Sequence, residues 1–275
     1  MGEKLFEIKT LKSVILKSVF EIIKPYIKET NILIAEDGMK ITTRDTSKMT
    51  VTYIKLDSRK FESYYCKKPT IIGVDTTTLF KAIKSANRKE TITFYMNEGE
   101  QDKLGIELAD TFVGKIKDYK IPLLNLDEKI LKIKDIQYDS IINIPSSLFQ
   151  QIIKDIHLLE GKTIEIKSIN KQLIFSSSDG IAEFKTSISE LDDTINREHI
   201  EMLKSNGEDT RSVKFSKSTP DIIQGKYKLT YLMNFIKASH LCDNMNILIS
   251  NDNPLVLEYF VADIGVMRLL ITQVV

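Results

Sequence analysis

Four segments of the chain repeat one pattern: LKSVFEII from Leu16, LFKAIKSA from Leu79, FQQIIKDI from Phe149 and LMNFIKAS from Leu232. In register, the lead position is Leu16, Leu79, Phe149 or Leu232. The apolar pair that follows is Val19/Phe20, Ala82/Ile83, Ile152/Ile153 or Phe235/Ile236. Apolar residues at i, i+3 and i+4 share one side of a helix, so each segment predicts a helix with a core-facing stripe. Recurrence of this kind restricts the chain to architectures assembled from copies of one supersecondary unit.

A β-rich run follows each helix: ILI at Ile32, ITF at Ile92, IEI at Ile164 and ILI at Ile247. A second follows at MKITT, LGIEL, LIFSS and LVLEY, after the turn-forming stretches AEDG, NEGEQD, INKQ and NDNP. The unit is therefore helix, strand, turn, strand. Two units per half predict two similar domains of the α+β class, each an antiparallel sheet with helices on one face. The expected domains are residues 1–120 and 138–275, joined by a connector over 121–137 where the pattern pauses. A polar, turn-rich stretch from Asp192 to Arg211 reads as a surface loop.

A chain of 275 residues is long enough for two such domains to bury their own cores, and 42% hydrophobic with 28% charged residues excludes a disordered chain. The 39 basic and 38 acidic residues nearly cancel, so any electrostatic role must come from how charge is distributed. Cys66 and Cys242 are far apart and form no CxxC, which predicts two reduced, mostly buried thiols rather than a disulfide framework or a zinc site. The N-terminus has no signal-peptide core, and no apolar run approaches membrane-spanning length, so an intracellular soluble protein is expected.

Catalytic signatures are incomplete. Gly161-Lys162-Thr163 imitates the end of a P-loop, but Ile156 stands where the first glycine belongs and a strand follows, so it reads as a turn. His157, His199 and His240 are scattered without metal-ligand spacing. Asp118, Asp252 and Asp263 are the acids a metal-dependent nuclease would have to gather, and their spacing does not gather them. No cofactor, metal or chemistry of its own is expected.

The polar side of the repeat carries Ser18 and Glu21, Lys81 and Lys84, Gln151 and Lys154, and Asn234 and Lys237, extended by Lys12, Lys17, Lys24 and Arg88. One lysine-rich helix is an ordinary solvated face. Lysine at the same register position in three of four helices predicts a basic surface suited to phosphates. Neither a recognition helix nor an aromatic stacking platform accompanies it, so contact with the backbone of duplex DNA, without sequence choice, is expected.

The stretches ILKSVFEIIK, DGMKITTRDTS, FESYYCKKPTIIGVDTTTLFKAIKSA, DYKIPLLNLD, NIPSSLFQQIIKDI and NPLVLEYFVADIG, in this order and spacing, resemble the proliferating cell nuclear antigen family of eukaryotic-type DNA sliding clamps along essentially the whole chain. The resemblance implies the DNA clamp fold and a homotrimeric ring whose helices line a hole for duplex DNA. It also implies a processivity factor for DNA polymerase that recruits replication and repair proteins. A subunit of a heterotrimeric clamp or a monomeric processivity factor is the alternative, with a metal-dependent nuclease behind it. By position, the family's pore cations fall on Lys17, Lys24, Lys81, Lys84, Lys154 and Lys237. Ser18, Gln151 and Thr230 stand uncharged where the family often has cations, which implies a less positive pore and weaker, salt-sensitive DNA contact.

The connector borders, in the family, a groove for short peptides of polymerases, nucleases and ligases; here it falls on Arg44, Met49, Leu131, Ile133, Pro254, Leu270 and Ile271. Arg44 replaces a usually apolar residue and Leu270 a common aromatic, which implies altered partners or an arginine swung aside with its stem packed. Subunit edges fall on FVGKIKDY near Lys115 and IAEFKTSI near Phe184. The Asp192 to Arg211 segment exceeds its family counterpart, and the chain ends at LLITQVV without an acidic tail. A separate ATP-driven clamp loader is implied. Frequent isoleucine, lysine and asparagine suit an AT-rich genome, so a nuclear site is expected in a cell, or a cytoplasmic replication site if the source is a large DNA virus.

Overall fold

A computed structural model of the chain describes residues 3–45, 47–110, 112–127, 131, 133, 136–190 and 212–274. The chain divides into two compact units: Met1–Ile133 with Phe260–Arg268, and Lys134–Tyr259 with Leu269–Val275. The segment from Asp192 to Arg211 lies outside the described residues, as do several connector positions.

In the first unit, β1 (Lys4–Thr10) leads into α1 (Ser13–Ile23), β2 (Glu29–Ala35), β3 (Gly38–Arg44) and β4 (Thr50–Asp57). After the short β5 (Ser63–Cys66), the order repeats as β6 (Thr70–Asp75), α2 (Thr76–Ile83), β7 (Glu90–Asn97), β8 (Lys103–Asp110) and β9 (Lys115–Pro122). The second unit has β10 (Ser140–Pro145), α3 (Ser146–Leu158), β11 (Thr163–Ile169), β12 (Gln172–Ser177) and β13 (Phe184–Ser189). Then come β14 (Lys214–Lys217), β15 (Ile223–Lys228), α4 (Leu229–Phe235), β16 (Asn244–Ile249), β17 (Leu255–Val261) and β18 (Gly265–Ile271), of which the end of β17 and the first residues of β18, within Phe260–Arg268, belong to the first unit. The helix and hairpin of each repeat fall where the apolar periodicity predicts them. Each repeat also has a strand before its helix and a third strand after its hairpin.

The leading strands exchange partners. In the first unit β6 joins β2, β3 and β4, with Ile72 opposite Ile32, while β1 joins β7, β8 and β9, with Ile8 opposite Phe94. In the second unit β15 pairs with β11, Tyr227 opposite Ile164, and β10 pairs with β16, Ile142 opposite Ile247. Each repeat thus completes its neighbour's sheet, and neither repeat of a pair has a complete sheet without the other. All of these pairings are antiparallel.

The predicted stripe is the core. Leu16, Leu79, Phe149 and Leu232 are each 0% exposed, and every member of the following apolar pairs is buried. Burial of one such side chain is worth roughly 1.5–3 kcal/mol over leaving it in water. In the first unit Phe20 of α1, Leu79 of α2, Ile32 and Ile72 of one sheet and Phe94 and Leu104 of the other line one small cavity, so both helices and both sheets meet there. Local chemistry sets the helix ends. The Asp75 carboxylate accepts from the Thr78 N–H at 2.6 Å and caps α2, and hydrogen bonding from the Thr78 side chain and then from this N–H holds its pKa below the usual carboxylate value. Pro25 follows the C-cap residue Lys24 of α1, and with no N–H of its own it cannot continue the helix.

Gly73 in β6 fixes where the connector starts. The Leu124 N–H donates to the Gly73 carbonyl at 2.8 Å, and a Cβ on Gly73 would lie 2.2 Å from the Leu124 oxygen. Only a residue without a side chain admits the backbone that closely.

Candidate nucleic-acid interface

The final register position of the repeat is exposed in all four copies: Glu21, Lys84, Lys154 and Lys237. Because the apolar positions of the same segments face the cores, these side chains stand on the solvent side of each helix. Lys237 sits in the 3-10 turn Ile236–His240 that continues α4. Lys81 and Arg88 are exposed too. Among the described residues, Lys81, Lys84, Lys154 and Lys237 form no salt bridge, so their charge is available to a ligand.

The first helix differs. Lys17 is half-buried and its Nζ donates to the Ala86 carbonyl just past the end of α2 at 3.0 Å, a favourable place for a cation beside a helix C-terminus. Lys24 places its Nζ 3.9 Å from the centre of the Phe80 ring. Lys12 binds both oxygens of Asp263, at 2.6 and 2.7 Å, and pulls that carboxyl below its ordinary pKa. Ser18 is only 8% exposed, so it belongs to the flank of the core.

In the second unit an open groove between the end of α3 and the start of α4 is lined by His157, Lys162, Lys228, Thr230 and Asn234, among others. The Leu229 N–H donates to the Lys162 carbonyl at 2.8 Å, which brings the two lysine-bearing segments together. Lys162 and Lys228 are exposed cations that the helical register passes over, since they lie on the loop and strand that flank the helices.

The P-loop imitation has an internal explanation. The Asp179 carboxylate accepts from the backbone N–H groups of Lys162 and Thr163 at 3.0 and 3.3 Å, from the Thr163 hydroxyl at 2.6 Å and from Ser177 at 3.1 Å. The chain's own anion fills the place a phosphate would take. Burial works to raise the Asp179 pKa, but these hydrogen bonds outweigh it and bring the value to about 2. Gly161 is explained by packing, because a Cβ there would lie 2.6 Å from Ile156. Of the three acids weighed for metal chemistry, Asp118 accepts from the Tyr95 hydroxyl, Asp263 is paired with Lys12, and Asp252 is exposed in a turn.

The positions assigned to a peptide groove have different environments. Arg44 is exposed at the end of β3; Met49, Leu131, Ile133, Pro254 and Leu270 are half-buried. Ile271 is 0% exposed. Successive strand residues face opposite sides, so with Ile271 directed into the core Leu270 is the member of the pair left at the surface.

Six of the described strands end a sheet, and two of them are β9, which pairs only with β8, and β13, which pairs only with β12. Lys115 opens β9 and is exposed, and Phe184 opens β13 half-buried. Beside them lie large apolar side chains in water: Phe112 (87% exposed), Val113 (75%) and Ile116 (65%) near β9, and Leu158 (75%) and Ile181 (70%) near β13. Apolar groups gathered at an unpaired edge mark an association surface. Phe112 and Val113 have a sequence signal of their own, an apolar pair in the turn between β8 and β9.

Two units of interlocked repeats, with cations on the outer side of their helices, define a DNA clamp of the α+β class. Family models for the proliferating cell nuclear antigen match the chain end to end, the N-terminal domain over residues 5–130 and the C-terminal domain over 132–274. The chain belongs to the proliferating cell nuclear antigen family. It is 24% identical over 270 residues to a probable DNA polymerase sliding clamp of Paramecium bursaria Chlorella virus 1, covering 98% of this chain and 97% of that one. It is 25% identical over 255 residues to proliferating cell nuclear antigen of Saccharomyces cerevisiae (93% of both chains). With the Caenorhabditis elegans protein of the same name it shares 24% over 264 residues, 96% of this chain and 95% of the other.

Proposed function

We propose that this protein is a DNA polymerase sliding clamp, a homotrimeric ring that encircles duplex DNA and has no chemistry of its own. The observation that carries the reading is the recurrence of an exposed lysine at one register position: Lys84, Lys154 and Lys237, with Lys81 beside them. Cations repeated on equivalent helices meet a polyanion whose charge repeats along its axis. They touch phosphates without reading bases, so the ring holds DNA by enclosing it and slides. Lys162 and Lys228 extend the DNA-facing set, while Lys17 and Lys24 contribute less because each is engaged within the protein.

Ring closure uses the free edges. The β9 edge of one subunit adds to the β13 edge of the next, with Lys115 and Phe184 at the seam and the exposed apolar residues beside both strands covered. A contact between two different surfaces is head-to-tail and closes into a ring when the rotation per subunit divides a circle. Short partner peptides of polymerase, nuclease, ligase and clamp loader bind at Arg44, Met49, Leu131 and Ile133 of the first unit and at Pro254 and Leu270 of the second, with apolar anchors against the apolar positions and Arg44 selecting against partners that bring a cation. The work site is the nucleus in a cellular host or the replication site of a virus.

Molar mass in solution tests the assembly. Light scattering should give three times 31.5 kDa. A mass of one subunit would replace the ring with a monomeric processivity factor, and a trimer found only with other chains would make the protein one member of a mixed clamp.

A further inference from the structure

The turn after α2 gathers contacts from three other elements of the first unit, α1, β7 and β9. Ser13, the first residue of α1, donates its hydroxyl to the Asn87 carbonyl at 2.6 Å, and Lys17 donates to the Ala86 carbonyl at 3.0 Å. From the other side the Glu90 carboxylate accepts from the Asn87 N–H at 3.1 Å and from its amide at 3.0 Å. Its second oxygen accepts from Lys117 of the edge strand β9 at 2.8 Å. Glu90 is 3% exposed, so the pair is sheltered on the carboxylate side, whereas the Lys117 side chain keeps 24% exposure. The other lysine pair on β9, Lys120 with Glu100, is 40% exposed on both sides and contributes little.

We infer that Glu90 is a positioning residue for ring closure: it clamps the edge strand β9 to the turn that also anchors α1 and α2, and so holds that edge in the conformation a neighbouring subunit joins. An edge strand is bonded on one side only, and five of the six residues from Lys115 to Lys120 are exposed. A buried carboxylate with three donors is therefore a strong tether for it. Because the tether shares its turn with the cation-bearing helices, the lysines of α2 and the closing edge are fixed by one set of bonds. The inference rests on the ring reading proposed above.

The test compares Glu90→Gln, Lys117→Met, the double variant and the exposed control Glu100→Gln in the full chain. Subunit exchange between differently labelled rings and hydrogen exchange at the β9 amides are followed together. Each single variant should speed subunit exchange on the order of tenfold, the size expected from losing one charged hydrogen bond, and should speed β9 amide exchange. The double variant, which lacks the same one tether, should exchange about as fast as the singles and no faster, and Glu100→Gln should match the wild type. A residue that serves stability alone would lower the melting temperature without moving subunit exchange. Wild-type exchange rates in both single variants, or a double variant whose acceleration is the product of the two singles, would overturn the inference. If Glu90→Gln fails to fold, Lys117→Met at its half-exposed position supplies the same comparison. A wild-type protein of single-subunit mass would defeat the ring reading on its own. The tether would then stand or fall on whether Glu90→Gln speeds β9 amide exchange.

Discussion

The first helix and its three sisters share one apolar register and differ on the opposite face. In α1 the lead leucine and the apolar pair are as buried as in α2, α3 and α4. Its polar side, however, has Ser18 nearly buried, Glu21 exposed, Lys17 bonded to the Ala86 carbonyl and Lys24 over the Phe80 ring. The sisters present Lys84, Lys154 and Lys237 to solvent. The apolar stripe is thus the invariant of the repeat, because the core of each unit depends on two copies of it. The polar face serves packing in one copy and stays in solvent in the others, where the proposed function gives it DNA to meet.

The largest effect should come from breaking what the helices share. Phe149→Ala removes a wholly buried ring and should cost about 3–5 kcal/mol in denaturant unfolding; a loss under about 1 kcal/mol would show that the register position is not a core position. Breaking what they do not share comes next. Reversal of Lys81 and Lys84 to glutamate should weaken duplex binding at least tenfold and flatten its salt dependence, while thermal stability stays close to wild type. Lys17→Met should do the opposite, lowering stability by about 1 kcal/mol and leaving DNA binding nearly unchanged. If Lys17→Met and the Lys81/Lys84 reversal weaken DNA binding alike, the division of labour between the helices fails.

A smaller effect has a pH signature. Asp179 holds its folded-state pKa at about 2, below its ordinary value of 3.8. Its contribution to stability is then present above pH 4 and is lost as pH falls from about 4 toward 2. Asp179→Asn should melt below the wild type at pH 7, and the two melting curves should converge by pH 2. A gap of constant size across that window would mean the carboxylate's charge does no work. The smallest effect belongs to Lys24→Met, which keeps the stem over Phe80 and loses only the cation–π term, about 0.5–1 kcal/mol.

The helices and hairpins were legible because their signals are local: Leu79, Ala82 and Ile83 announce a helix face without reference to anything distant. The exchange of leading strands was not. Nothing near Ile32 in the sequence names Ile72 as its neighbour, and β6 runs into α2 with no loop between, so the change of period hides the strand. The edge strands β9 and β13 hide differently, since β9 has almost no buried positions and β13 none, and only the family resemblance pointed to them. Among the site residues, register placed Lys81, Lys84, Lys154 and Lys237 on exposed faces. It gave no warning that Lys17 and Lys24 find partners on the neighbouring helix, because those partners exist only in the packed unit. Lys162 and Lys228 escaped for a related reason: they reach the helix side from a loop and a strand. Ile271 escaped because strand alternation has to be known before either of two adjacent apolar residues can be assigned to a surface.

Enclosure of DNA, rather than adhesion to it, is the claim on which the rest depends. The measurement that tests it most directly is retention through gel filtration at high salt, first on a nicked circular duplex after loading and again after a restriction cut opens the circle. A ring remains with the closed circle and is lost once free ends appear. Equal retention before and after the cut, or none on the closed circle after successful loading, would contradict the account.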